Sequence, residues 1–155
     1  MARYSVKKVD KRGVVIRNFK EWLVEHRGEL YHDSMTNYLF YKELKRRKIK
    51  FEYQQTFELQ PKFTTVDYVI RKKSGERVQG WFKCPIRPIT WSPDFLLVDY
   101  NMVIEAKGRV QETFPLKLKM FKYHVVTNDL GLRVVVLHSL DDLKDFLDKG
   151  LEDGE

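Results

Sequence analysis

Apolar positions along the chain follow a helical period, then a strand period, then a helical period again. Asn18 with Glu21 three residues on reads as a helix start, and Phe19, Trp22 and Leu23 share a face behind it. Asp33 or Ser34 opens a stronger helix running to about Lys48. Its second half, Lys42 to Lys50, holds six bases and one acid, Glu43, and reads as a solvated basic face. Phe51 to Leu59 alternates as a strand with Phe51, Tyr53, Phe57 and Leu59 on one side. Thr65–Arg71 and Arg77–Lys83 form a predicted hairpin around Lys73-Ser-Gly-Glu76. Three prolines keep 85–93 extended.

Two short apolar strands, Asp94–Asp99 and Met102–Lys107, come next, and Gly108 breaks the pattern. A helix from about Glu112 to His124 presents Phe114, Leu118, Phe121 and Val125 at helical spacing. Leu132 to His138 is an apolar strand. Ser139 then caps a last helix whose Leu140, Leu143, Phe146 and Leu147 face inward and which Gly150 ends. The order predicts an α/β fold with helices packed on one mixed sheet.

At 155 residues the chain fits a single domain. The first 17 residues are basic and read as a partly mobile arm, and 151–155 as an acidic tail. Charge is unevenly divided. Ser139–Glu155 carries seven acids and two bases, a net of −5, which leaves +12 on the rest of a chain whose total is +7. A body that basic attracts polyanions, nucleic acid foremost. The one cysteine, Cys84, excludes an intramolecular disulfide and a cysteine-based zinc cluster. No apolar run is long enough to span a bilayer and no signal peptide is evident, so a reducing intracellular compartment is expected.

The chemistry concentrates between Ser92 and Gly108. If the two strands form a tight antiparallel hairpin turning at Tyr100-Asn101, opposed residues have numbers summing to 201. Asp94 then faces Lys107, Glu105 lies on the diagonal from Asp94, and all three project from one surface. Met102, Ile104 and Ala106 point the other way, into the core. Two carboxylates make a hard oxygen site suited to Mg²⁺ or Mn²⁺, with the Ala106 carbonyl as a third ligand. Such an ion acidifies water and screens charge on a phosphodiester, and Lys107 is placed to hold the attacking water or to neutralise the phosphate oxygens. Taken alone, a strand-borne Glu-x-Lys is common and reads first as a structural Asp–Lys pair across an exposed sheet face, with Glu105 solvated. Pro-Asp ahead of it, the hairpin geometry and the basic body are what point to chemistry.

Pro93-Asp94, the eleven-residue step to Glu105, and Glu105-Ala-Lys107 resemble the signature of the PD-(D/E)XK nuclease superfamily. The resemblance is closest to a small phage-associated branch related to junction-resolving endonucleases. It runs from about Arg27 to Tyr123 through the Ser34 helix, the Phe51 strand, Arg87-Pro-Ile-Thr-Trp-Ser-Pro-Asp-Phe95, Glu105-Ala-Lys-Gly108 and the lysine-rich segment 114–122. It implies a restriction-endonuclease-like core and a metal-dependent DNA endonuclease with Asp94, Glu105 and Lys107 at its centre. It also implies a host-cell cytoplasmic location for a phage-encoded protein. A branched or junction DNA substrate would call for a homodimer, since two symmetric cuts need two sites.

Relatives usually carry a glutamate on the first helix, where this chain has Asn37. Asn37 offers a carbonyl oxygen but no charge, and Asp33, four residues earlier, is the candidate to compensate. The alternative is a non-catalytic DNA-binding module that keeps the nuclease fold. Lys117, Lys119 and Lys122 read either as a phosphate grip beside the active face or as a solvated helix side. Arg87 and Trp91 are further candidates for DNA contact, Trp91 equally for the core. His26, His32, His124 and His138 show no metal-ligand spacing, and the absence of a Gly-rich phosphate loop leaves nucleotide hydrolysis unsupported.

Overall fold

The computed structural model describes residues 7–107 and 114–151. In chain order the elements are β1 (Val9–Asp10), α1 (Phe19–Glu25), β2 (Tyr31–His32), α2 (Met35–Arg46), β3 (Phe51–Tyr53), β4 (Phe57–Gln60), β5 (Phe63–Arg71) and β6 (Arg77–Ile86). Then come β7 (Ile89–Trp91), β8 (Phe95–Leu97), a 3₁₀ turn (Val98–Tyr100), β9 (Met102–Ala106), α3 (Phe114–Thr127), β10 (Arg133–Leu137) and α4 (Leu140–Lys149). Side chains close three helix starts: Asn18 accepts from the Glu21 amide, Ser34 from Asn37 and Ser139 from Asp142.

The central sheet has the order β10-β9-β8-β3. β10 runs parallel to β9, and the other neighbours are antiparallel. The mixed α/β sheet expected from the pattern is therefore present. Residues of β9 alternate between two cores, as the strand period requires. Met102, Ile104 and Ala106 pack with Phe95 and Leu97 against Phe40 and Leu44 of α2 and Leu143 and Leu147 of α4. Val103, on the other face, packs with Phe114, Phe121 and Val125 of α3 and with Trp91 of β7. Trp91 is thus a core residue.

The predicted strand Phe51–Leu59 is two strands in two sheets. β3 pairs with β8, whereas β4 pairs with β7. The break falls at Gln54, whose backbone is left-handed (φ 55°) and whose N–H donates to the Asp94 carbonyl at 2.9 Å. The chain there crosses from one core to the other: Phe51 and Tyr53 pack on the α2 side, and Phe57 and Leu59 on the α3 side.

Within the basic N-terminal stretch, residues from Lys7 onward are built into the fold. Val9 is fully buried, pairs with His32 and bridges to Val15. Gly13 turns this segment at φ 87°, and a Cβ there would lie 2.5 Å from the Tyr38 ring, so only glycine fits. Residues 1–6 of the expected arm and 152–155 of the acidic tail lie outside the described residues, as do Gly108 and Glu112. Among the described residues no helix is long and apolar enough to cross a membrane.

Candidate active site

The turn between β8 and β9 fixes how the charged residues meet. It occupies Val98–Asn101, with Asn101 left-handed (φ 51°), and not a tight turn at Tyr100-Asn101. Observed partners are Phe95–Ile104, Leu96–Val103 and Leu97–Met102, a register two residues removed from the expected one. A shift of two keeps every side chain on its expected face, because the strand period is two. It does change the neighbours. Continuing this register sets Asp94 directly opposite Glu105, where a diagonal relation had been expected, and moves Lys107 beyond the paired segment.

Asp94, Glu105 and Asn37 are all buried. Asp94 stands at the end of β8, where the sheet, α2 and β9 converge. Its Oδ2 accepts from the Ala106 amide at 2.8 Å, and its Oδ1 accepts from the Asn37 side-chain amide at 3.0 Å. Its own N–H donates to Glu105 Oε2 at 3.3 Å. Glu105 Oε1 meets the Lys107 ammonium at 3.0 Å, and that ammonium also lies 4.7 Å from the centre of the Phe114 ring. The N–H and C=O of one residue leave an extended strand on the same edge. The Ala106 carbonyl is therefore turned toward the Asp94 edge, while the next amide, Lys107, donates to Leu137 of β10 at 2.8 Å.

Two carboxylates held this close in a buried place resist ionisation together. Burial, then the charge of Glu105, pushes the Asp94 carboxyl up to about 7, against the pull of the Ala106 amide, Asn37 and Lys107. Burial also raises Glu105, with Lys107 opposing it. The pair is short of positive charge. Its donors are hard oxygens, which suit Mg²⁺ or Mn²⁺: one oxygen each from Asp94 and Glu105, plus the Ala106 carbonyl. Among the described residues no third His, Cys, Asp or Glu joins them.

Asn37 reaches the site as expected, but as a donor. Its amide N–H₂ faces the Asp94 oxygen and so orients that carboxylate. Asp33 does not take the compensating role. α2 begins after Ser34, so Asp33 precedes the helix and the four-residue spacing along a helical face does not apply. Its carboxylate oxygens are engaged by Lys8 at 2.9 Å and by Gln54 at 2.8 Å. Glu43 is likewise spent, in ion pairs with Arg46 and Arg47 that hold it down at about 2.

The three α3 lysines do not form one grip. At 100° per residue, Lys117 lies about 60° to one side of Phe114, Lys122 about 80° to the other, and Lys119 about 140° away. Lys119, Lys122 and Arg87 are exposed.

Three supporting residues escaped the sequence reading. Tyr53 donates to or accepts from His32 Nδ1 at 2.9 Å, and its hydroxyl is pushed upward by burial, with Asp94 and Asp33 adding to the shift. His138 donates from Nδ1 to the Lys107 carbonyl at 2.7 Å, fixing the backbone beyond β9. Neither histidine carries a spacing signal, because both act through long-range contacts.

A family model described as "Protein of unknown function (DUF1064)" matches residues 23–140. No curated protein and no solved structure matches the chain.

Proposed function

The chain belongs to this family of unknown function, and from its buried carboxylate pair we propose that it is a Mg²⁺- or Mn²⁺-dependent DNA endonuclease hydrolysing phosphodiester bonds. The observation that carries the reading is the Asp94–Glu105 pair with Lys107 3.0 Å from Glu105 Oε1, at the end of the two central strands in a strongly basic body. Burying two carboxylates side by side costs stability unless a cation compensates them. One lysine supplies a single charge; a divalent ion would supply the remainder.

Asp94, Glu105 and the Ala106 carbonyl would hold such an ion, which would supply Lewis acidity toward water and phosphate oxygens. The residues divide the remaining work. Asn37 and the Ala106 amide hold the Asp94 carboxylate in one orientation. Lys107, steered by Glu105 and the Phe114 ring, presents its ammonium where negative charge builds on the phosphate, and hydrogen-bonds the incoming water. Phe114, which lies beside the Lys107 ammonium, packs with Trp91 and Val103 in an apolar core, and low-polarity surroundings strengthen charge interactions.

The resemblance to PD-(D/E)XK nucleases supports the same reading through Pro93-Asp94 and Glu105-Ala-Lys107. A restriction-endonuclease-like core is compatible with a central mixed sheet carrying α2 on one face and α3 on the other. A second reading, a DNA-binding module that has lost catalysis, is favoured by Asn37, which donates where an additional acid would bind metal.

The two are separated by incubating the protein with linear, nicked and four-way-junction DNA in Mg²⁺, Mn²⁺ or chelator. Cleavage with metal and none in chelator is expected of the endonuclease. DNA binding without cleavage under any condition would leave the second reading standing.

A further inference from the structure

β5 and β6 form a long two-stranded ribbon whose contacts are almost wholly with each other. Isolated ribbons of this kind are marginal in water, and one that persists needs a purpose for its faces. The register Thr65–Cys84, Val66–Lys83, Asp67–Phe82, Tyr68–Trp81 sorts the side chains unequally. One face carries Thr65, Val69, Val78, Cys84 and Ile86, all partly buried, with Phe63, Asp67 and Phe82 exposed among them. The other carries Val66, Tyr68, Ile70 and Trp81 at 57%, 47%, 51% and 70% exposure, with Lys83 beside them. Tyr68 and Trp81 meet edge to face at 5.3 Å, and Gln79 holds the Tyr68 hydroxyl at 3.0 Å, so the aromatic pair is fixed and still open to solvent.

Charge identifies the occupant. From Lys62 to Arg87 there are seven bases and two acids, a net of +5, and one of those acids, Glu76, is paired with Lys72. A second copy of so basic a ribbon would be repelled; a polyanion is attracted. Flat apolar rings flanked by lysine and arginine suit unstacked bases, which present π-faces to aromatics while the backbone phosphates meet the cations. Duplex DNA hides those base faces inside its stack. The ribbon also leads straight into the candidate site: β6 continues through Arg87 and β7 to Asp94.

We infer that the β5–β6 ribbon binds single-stranded DNA, stacking bases on Trp81 and Tyr68. As an account of substrate choice this rests on the nuclease reading: the ribbon would hold an unpaired strand at a branch or end and deliver the adjoining phosphodiester to Asp94 and Glu105. As a binding surface it is measurable without any cleavage.

The experiment uses the full chain carrying Asp94→Asn, in chelator, with a short fluorescent single-stranded DNA of mixed sequence and the same sequence as a duplex, read by anisotropy. Trp81→Ala is expected to weaken single-strand binding about tenfold or more, with Tyr68→Ala close behind and duplex binding little changed. Trp81→Phe, which keeps a ring, is expected to restore most of the loss; this separates stacking from a folding defect. Unchanged single-strand affinity in Trp81→Ala overturns the inference. So does a chain that sediments as a dimer until Trp81 is replaced, since the ribbon would then be a protein interface. Because metal and cleavage are absent, failure here leaves the nuclease reading intact, and a failed cleavage assay leaves this result standing.

Discussion

Asn37 of α2 donates its side-chain amide to Asp94 Oδ1 across 3.0 Å of buried space, tying a helix to the end of a central strand. The bond is favourable because Asn37 supplies a positive dipole end to a carboxylate already crowded by Glu105. Asn37→Asp keeps the shape and reverses that. Three carboxylates would then crowd one buried point, and like-charge repulsion should destabilise the fold. Tm should fall by several degrees in chelator and recover in Mg²⁺ or Mn²⁺, since a ligand bound only by the folded state restores stability. Loss of stability with no metal-dependent recovery would separate Asn37 from any metal site.

Metal-free stability should also carry the imprint of Asp94 itself. Its carboxyl is raised to about 7 in the fold from an ordinary 3.8. Between those values the native state binds a proton that the unfolded chain has lost, so ΔG of unfolding decreases as pH rises. The stabilisation from this group is complete below its unfolded value and is gone once the pH passes about 7. Asp94→Asn, which has no carboxyl to titrate, should flatten that slope in the chelated protein. Chemical denaturation across this range in chelator checks it; equal slopes for the two proteins would contradict the strained pair.

Lys107 should separate metal binding from turnover. Its ammonium sits on Glu105, so Lys107→Met removes a charge that competes with an incoming cation. Mn²⁺ affinity by calorimetry should rise severalfold, while cleavage falls by about two orders of magnitude or more, the scale of losing one positioned transition-state donor. A collapse of metal affinity would make Lys107 a structural prop of the site.

Much of this was legible in the sequence, and the omissions have physical causes. Helix starts at Asn18, Ser34 and Ser139 were readable because capping is local. The faces of β8 and β9 were readable because the period of two survives a two-residue register shift; the shift itself was not, since it depends on where the left-handed Asn101 closes the turn. Phe51–Leu59 alternates without interruption, yet splits at Gln54, whose N–H is claimed by the distant Asp94 carbonyl. The difference at Asp33 has a local cause instead: Ser34 and not Asp33 caps α2, which leaves Asp33 ahead of the helix and off its face. Tyr53, His32 and His138 support the site through contacts that no spacing rule encodes.

The central claim is that Asp94 and Glu105 together hold the ion that enables phosphodiester cleavage. The most direct measurement compares wild type with Glu105→Gln, which keeps the shape and removes the charge, on nicked and four-way-junction DNA in Mn²⁺, at protein concentrations where anisotropy shows equal binding. Wild type should cut in Mn²⁺ and not in chelator, and Glu105→Gln should bind as well and cut at background. Equal cutting by the two proteins, or cutting by wild type in chelator, would contradict the account.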